Sequence, residues 1–194
     1  GIVASGAADG MCLLHDVWTG SFVRSLNILQ WDDLVDDDSR EADAAGTAEP
    51  PAGRSTITNI SFCSSSSKVI VGTSDHVHVF SLSGDHICGK RFPNGGILGA
   101  FLSNDARFVV VISKYWVKTH WLHNFKLVQT LCLVDDRMDD FVETAAGTVL
   151  LPSEISSGVL SPEGSALFVG TKSGTVVAVH TKLRWNHLPS TSKD

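Results

Sequence analysis

No apolar run in the 194-residue sequence approaches the roughly 20 residues that a membrane-spanning helix needs. No basic segment leads into an apolar one near its first residue, which is the pattern of a secretory leader. Positive charge is scarce: 15 Lys and Arg against 21 Asp and Glu leave a net charge of −6. That balance argues against a nucleic-acid binder, whose interacting face is usually basic. The four cysteines, Cys12, Cys63, Cys88 and Cys132, form no CxxC pair, and their spacing suits neither a disulfide framework nor a zinc site. Three of them sit in apolar strand-like runs, where a free thiol packs as a small hydrophobe. A reducing, cytoplasmic location is therefore expected. Neither GxGxxG nor GxxxxGK[ST] occurs, so no phosphate-binding loop is read. A GxSxG nucleophile turn is also absent. Helix-period segments are nearly absent; only DDRMDDFVETA, residues 135–145, could form a short helix.

What is present is a repeat. Apolar residues make up 43% of the sequence and charge is mild, which predicts a packed core. Gly10, Asp75, Tyr115 and Gly174 open the runs MCLLHDV, HVHVFSL, WVKTHWL and TVVAVHT. Ahead of each lies another apolar run: IVASGA, KVIVGTS, RFVVVIS and ALFVGTK. Three of these follow a third run and a polar turn, in ITNISFCSSSS, ILGAFLSNDA and SSGVLSPEGS. A fourth run, SFVRSL, HICGKRF or LVQTLCL, closes the first three units. Asp75 and Tyr115 are 40 residues apart, and the flanking intervals of 65 and 59 residues each hold an insert. Without the inserts the period is near 40, the length of a four-stranded propeller blade. Val, Ile and Phe in short runs, separated by Gly, Ser, Asn and Asp, are strand and turn signals. KVIVG, RFVVVI and ALFVG are almost continuously apolar, as a strand buried on both faces must be.

The segment GIVASGAADGMCLLHDVWTGSFVRSL resembles a WD repeat: apolar strand, Asp-Gly turn, strand ending in an aromatic-Asp pair, Thr-Gly turn, outer strand. His15-Asp16 occupies the Trp-Asp slot, which holds Phe80-Ser81, His120-Trp121 and Val179-His180 in the other units. The resemblance implies that the aromatic packs between strands and the Asp supports a turn. A catalytic pair would need a nucleophile or a third orienting group, and the sequence nominates none. A narrower resemblance is to the C-terminal propeller of BEACH-domain, neurobeachin-like proteins. It rests on Cys-Leu-x-His at Cys12 to His15, the weak Trp-Asp slots, ITNISFCSSSSKVIVGTSDHVHVFSLSGD, and the ending VAVHTKLRWNHL with Arg184-Trp185.

The fold expected is all-β: a partial WD-repeat propeller of about four blades, the C-terminal part of a larger propeller. Residues 1–30 form a blade lacking its innermost strand, 31–55 an acidic flexible insert, 56–93 and 94–133 complete blades, 134–155 a second insert, 156–188 a last blade lacking its outer strand, and 189–194 a tail. Fourteen strands are expected, with an apolar blade face open at each end; such faces favour association. The resemblance implies a protein-interaction scaffold in vesicle trafficking and membrane-protein sorting. BEACH and pleckstrin-like modules would lie upstream in the parent chain. Partners would be other proteins, with no nucleic acid, no cofactor and no direct membrane insertion. One rival is a WD-repeat subunit of an unrelated assembly, such as an RNA-processing or ubiquitin-ligase complex. The other is an enzyme built on a propeller, disfavoured because ITNISF, ILGAFL and SSGVLS carry no His, Asp, Glu or Cys.

Few side chains invite a site. His76 and His78, two apart on a strand, could share a metal with a third ligand such as His86, but surface or turn histidines are the expectation. Ser64 to Ser67 read as a plain polar turn. The acidic insert (Asp32, Asp33, Asp36, Asp37, Asp38, Glu41, Asp43, Glu49) lacks the glycine of a calcium loop and reads as a mobile loop. Arg184 and Trp185 are candidate partner contacts, because Arg and Trp are frequent hot-spot residues; packing on the last blade is the competing role.

Overall fold

The computed structural model describes residues 1–31, 56–63, 65–92, 96–134, 142–143 and 148–181. Its described residues form 16 strands in four sheets that follow one another along the chain. The first sheet is β1 (Ile2–Gly6), β2 (Met11–Asp16) and β3 (Phe22–Asn27). The second is β4 (Asn59–Cys63), β5 (Lys68–Gly72), β6 (His76–Ser81) and β7 (His86–Arg91), in that spatial order. The third contains β8 (Ile97–Leu102), β9 (Phe108–Ser113), β10 (Trp116–Trp121) and β11 (Leu127–Val134). After β12 (Val142–Glu143) and β13 (Val149–Leu151), the last sheet is β14 (Ile155–Leu160), β15 (Ala166–Thr171) and β16 (Val176–His180). The first, second and last sheets and β8 to β11 of the third run as antiparallel meanders, and the first strands of successive sheets are neighbours: β4 lies against β1 and β8, and β8 against β14.

Local hydrogen bonds repeat from sheet to sheet. The turn after the third-position strand is closed by Asp16 N–H to Ser21 O at 3.0 Å, Ser81 N–H to Asp85 O at 2.9 Å and Trp121 N–H to Lys126 O at 3.0 Å. Its left-handed position is filled by Gly20, Gly84 and Phe125, with φ of 66°, 94° and 49°. The glycines adopt this conformation freely, and Phe125 is held there by burial between sheets.

The central strands explain the packing. Successive side chains on a strand point to opposite faces. On β5, Val69 and Val71 join Cys12, Leu14 and Leu26 of the first sheet, while Ile70 joins Val109 and Val111 of the third. On β9, the opposite set, Val110 and Ile112, meets Leu167 and Val169 of the last sheet. A strand with neighbours on both faces must be apolar at every position, which is why KVIVG and FVVVI do not alternate. Each such Val or Ile contributes about 1.5–3 kcal/mol by leaving water.

One feature differs from expectation. The segment 134–155 is not only a connecting insert, and Val142–Glu143 is strand where a short helix was the candidate. β13 pairs parallel with β11, Cys132 opposite Val149 and Val134 opposite Leu151, and β12 pairs antiparallel with β13. These two strands account for 16 in place of 14. The edge of β11 offers unpaired backbone groups, and Val149 to Leu151 satisfy them while burying Leu151. β15 is apolar in sequence and has one open face: Phe168 is 43% exposed, and no described sheet follows it.

Candidate functional site

His15-Asp16 occupies a structural position. The Asp16 carboxylate accepts from the amides of Trp18 and Thr19, both at 2.9 Å, and from the Thr19 hydroxyl at 3.1 Å. These bonds, those from Thr19 foremost, hold its carboxyl below the ordinary carboxylate range. His15 packs edge-on against Phe22 across the strand pair, ring centroids 5.9 Å apart. In the next sheet the same turn is supported by Ser81, whose hydroxyl donates to Asp85 at 3.0 Å.

The histidines of the second sheet are not surface residues. His76 and His78 are buried, and their rings stack at 5.8 Å. His76 Nδ1 lies 3.0 Å from Asp75, which also faces Arg91 at 3.7 Å. His86 comes back to His78, Nε2 to Nδ1 at 3.3 Å, and stacks flat on Trp31 at 4.4 Å. Burial first, and His78 second, push the His86 pKa down to about 4. The cluster is aromatic packing between the first two sheets. Among the described residues no group of three His, Cys, Asp or Glu is placed to hold a metal ion.

The seam between the second and third sheets is concave. One cavity there, of about 570 Å³, is lined by Ile87, Cys88, Ala106, Arg107, Trp121 and Leu122. Cys88 Sγ donates to Leu122 O at 3.4 Å and so links the two blades. Further along the seam a crevice of about 260 Å³ is lined by Lys90, Arg91, Phe92, Trp116, Lys118, His120 and Leu127. Lys90 Nζ donates to Phe125 O at 3.2 Å, and His120 Nδ1 meets the same carbonyl at 2.9 Å. Trp116, Lys118 and His120 alternate along β10 and so share a face. That alternation is the sequence signal for the crevice; the repeat slot itself covers only His120 and Trp121.

The two end sheets present apolar faces to solvent. On the last sheet Val159, Phe168 and Val176 are 53%, 43% and 71% exposed, on the face opposite Leu167 and Val169. On the first sheet Val3 and Phe22 are exposed on the face opposite Leu14 and Cys12. Cys63 stands at the end of the inner strand β4, beyond the run read as ITNISF, and bonds to Ser65 and Ser103. Arg184, Trp185 and the acidic insert lie outside the described residues, as does Ser64 of the polar turn. Among the described residues no helix is long and apolar enough to cross a membrane.

No family model matches the chain, and no curated protein matches it. Among solved structures it is similar to the β-propeller domain of Cps50 (Swd1) from Myceliophteria thermophila, with a TM-score of 0.63 and 16% identity. The match covers 94% of this chain and 49% of that one, so the chain spans about half the length of the structure it resembles. At this identity the likeness concerns the fold alone. The fold is all-β, a partial β-propeller whose four sheets are its blades.

Proposed function

We propose that the chain is a protein-interaction scaffold and not an enzyme. The observation that carries this is the pair of open blade faces. Val159, Phe168 and Val176 stand solvent-exposed on the face of the last blade that corresponds to the one the third blade buries through Val110 and Ile112. Exposed apolar patches on a rigid β framework mark sites of association. The loops and seams between blades then present specificity, because the repeat residues themselves are spent on packing.

The finer reading is a WD-repeat propeller of a BEACH-domain-like protein, acting in vesicle trafficking and membrane-protein sorting. Its supports are the sequence from Cys12 to His15, the Asp16-supported turn and the Arg184-Trp185 pair near the end. The cytoplasm is the compartment this reading expects, with membrane contact made through the parent protein. The test is an immunoblot of the native product with an antibody to this segment, then sequencing of the coding region upstream. BEACH and pleckstrin-like modules there are the expected result. A different upstream neighbour overturns the trafficking reading and leaves a WD-repeat subunit of an unrelated assembly. Hydrolase and oxidoreductase screens of the purified chain should give no turnover.

A further inference from the structure

We propose that the crevice between β7 and β10–β11 binds an extended acidic peptide through a tyrosine whose phenolic O–H donates to His120 Nε2. This rests on the scaffold reading and names a partner class for one of its seams.

His120 lines the crevice. Its Nδ1 lies 2.9 Å from the carbonyl oxygen of Phe125. A carbonyl only accepts, so Nδ1 carries the proton. Burial holds the ring neutral by lowering its pKa. Nε2 is therefore an acceptor with a free lone pair. The residue is only 5% exposed, and Nε2 has no hydrogen-bond partner among the described residues. A buried acceptor left unpaired is costly and uncommon in a native fold. A donor supplied by a partner removes that cost.

The walls define the rest of the ligand. Phe92, Trp116 and Leu127 form apolar and aromatic sides, which suit a flat ring. Lys90, Arg91 and Lys118 bring positive charge to one crevice of a chain whose net charge is −6. Lys118 stands 4.8 Å over the Trp116 ring, and Lys90 6.0 Å over Phe92, so aromatic faces position both ammonium groups. Among the described residues Asp75 faces Arg91 at 3.7 Å. A lysine donor from the partner would be repelled here, and a serine would leave the aromatic walls unfilled. A tyrosine carries its donor at the tip of a ring, and flanking Asp or Glu complement the lysines. The volume of about 260 Å³ falls below the ~300–1,000 Å³ of small-molecule sites, and fits one anchoring side chain. β7 is the outermost strand of its sheet, so an extended segment can lie along it.

The test uses the full chain and fluorescence anisotropy with labelled peptide libraries. One library has a fixed central tyrosine flanked by randomised Asp, Glu and apolar residues; the second has phenylalanine at the centre; the third has neutral flanks. The tyrosine library should bind, and the other two should bind about tenfold more weakly. His120→Leu should erase the preference for tyrosine over phenylalanine, and Lys118→Glu should weaken binding while circular dichroism stays unchanged. Equal binding of the tyrosine and phenylalanine libraries overturns the proposal. So does absence of binding to the folded chain, or displacement of the peptide by phosphoinositide vesicles, which would assign the crevice to a lipid headgroup. None of these results touches the scaffold reading, which the end faces and the upstream sequence decide.

Discussion

The amide of Ile97 donates to the carbonyl oxygen of Ser74 at 2.9 Å, and so pins the entry of the third blade to a turn of the second. Ile57 does the same to Ala7 at 3.2 Å, and Ile155 to Lys114 at 2.8 Å. Each blade therefore starts from a fixed point on its predecessor. Stability should be the sum of blade terms and nearest-neighbour seams, as in other repeat folds.

The first prediction compares a seam with an end face. Ile112 is fully buried between the third and fourth blades. Ile112→Ala should cost about 2–5 kcal/mol in urea unfolding. Val159→Ala, on the open face, should stay within about 0.5 kcal/mol. A large loss for Val159→Ala would mean that this face is covered in solution.

Gly158 tests the same seam by addition. A Cβ there would lie 2.6 Å from Ile112 Cδ1 and 3.2 Å from Phe168 O. The Ile112 tip can rotate, but the backbone oxygen cannot move freely. Gly158→Ala should destabilise by about 1–3 kcal/mol, the usual cost of overpacking. An unchanged melting curve would contradict the close approach.

Thiol reactivity should follow burial. Burial pushes the thiols of Cys12 and Cys88 up to about 11 and that of Cys132 to about 12. Burial also raises Cys63, but hydrogen bonds from Ser65 and Ser66 outweigh it and leave this thiol lower than usual. Iodoacetamide at pH 8 should therefore label Cys63 of the folded chain first, read by mass spectrometry of the digest. Labelling of Cys132 ahead of Cys63 would contradict the seam packing.

Acid stability follows from the turn carboxylates. Asp16 is held below its ordinary range by Thr19, Asp85 by Ser83 and Ser81, and Glu154 by Lys172 at 2.5 Å. In each case the unfolded chain takes up a proton first as pH falls. The contribution is full above the ordinary carboxylate pKa of about 4 and is lost as pH drops through the lower folded values. The urea midpoint should fall from pH 5 to pH 3, and Asp16→Asn with Asp85→Asn should flatten that fall. An identical slope in the double variant would remove these turns from the account.

Much of the fold was legible because period-2 strands and Gly/Asp turns recur at a fixed spacing. The unbroken apolar runs at Val69–Val71 and Val109–Ile112 announced strands with neighbours on both sides. Phe168 sits in a run of the same kind, yet faces solvent; a run records its polarity and not whether a neighbour is there. β13 pairs parallel with β11, Cys132 opposite Val149, 17 residues apart, a pairing that local pattern does not encode. His86 lies past a Ser-Gly turn in sequence, and the register shift between Val79 and Phe80, which sets His86 opposite Phe80, leaves no mark in composition. The crevice at His120 needed two blades to form, and only the alternation of Trp116, Lys118 and His120 hinted at it.

The central claim is that the chain is a stack of blades with open, adhesive ends. Sedimentation velocity of the purified chain tests it most directly. The account predicts species larger than the 20.8 kDa of one chain. It also predicts a shift to single chains, with circular dichroism unchanged, when Val159→Lys and Phe168→Lys are introduced together. A wild-type chain that sediments as a compact single species of 20.8 kDa at every concentration would contradict it.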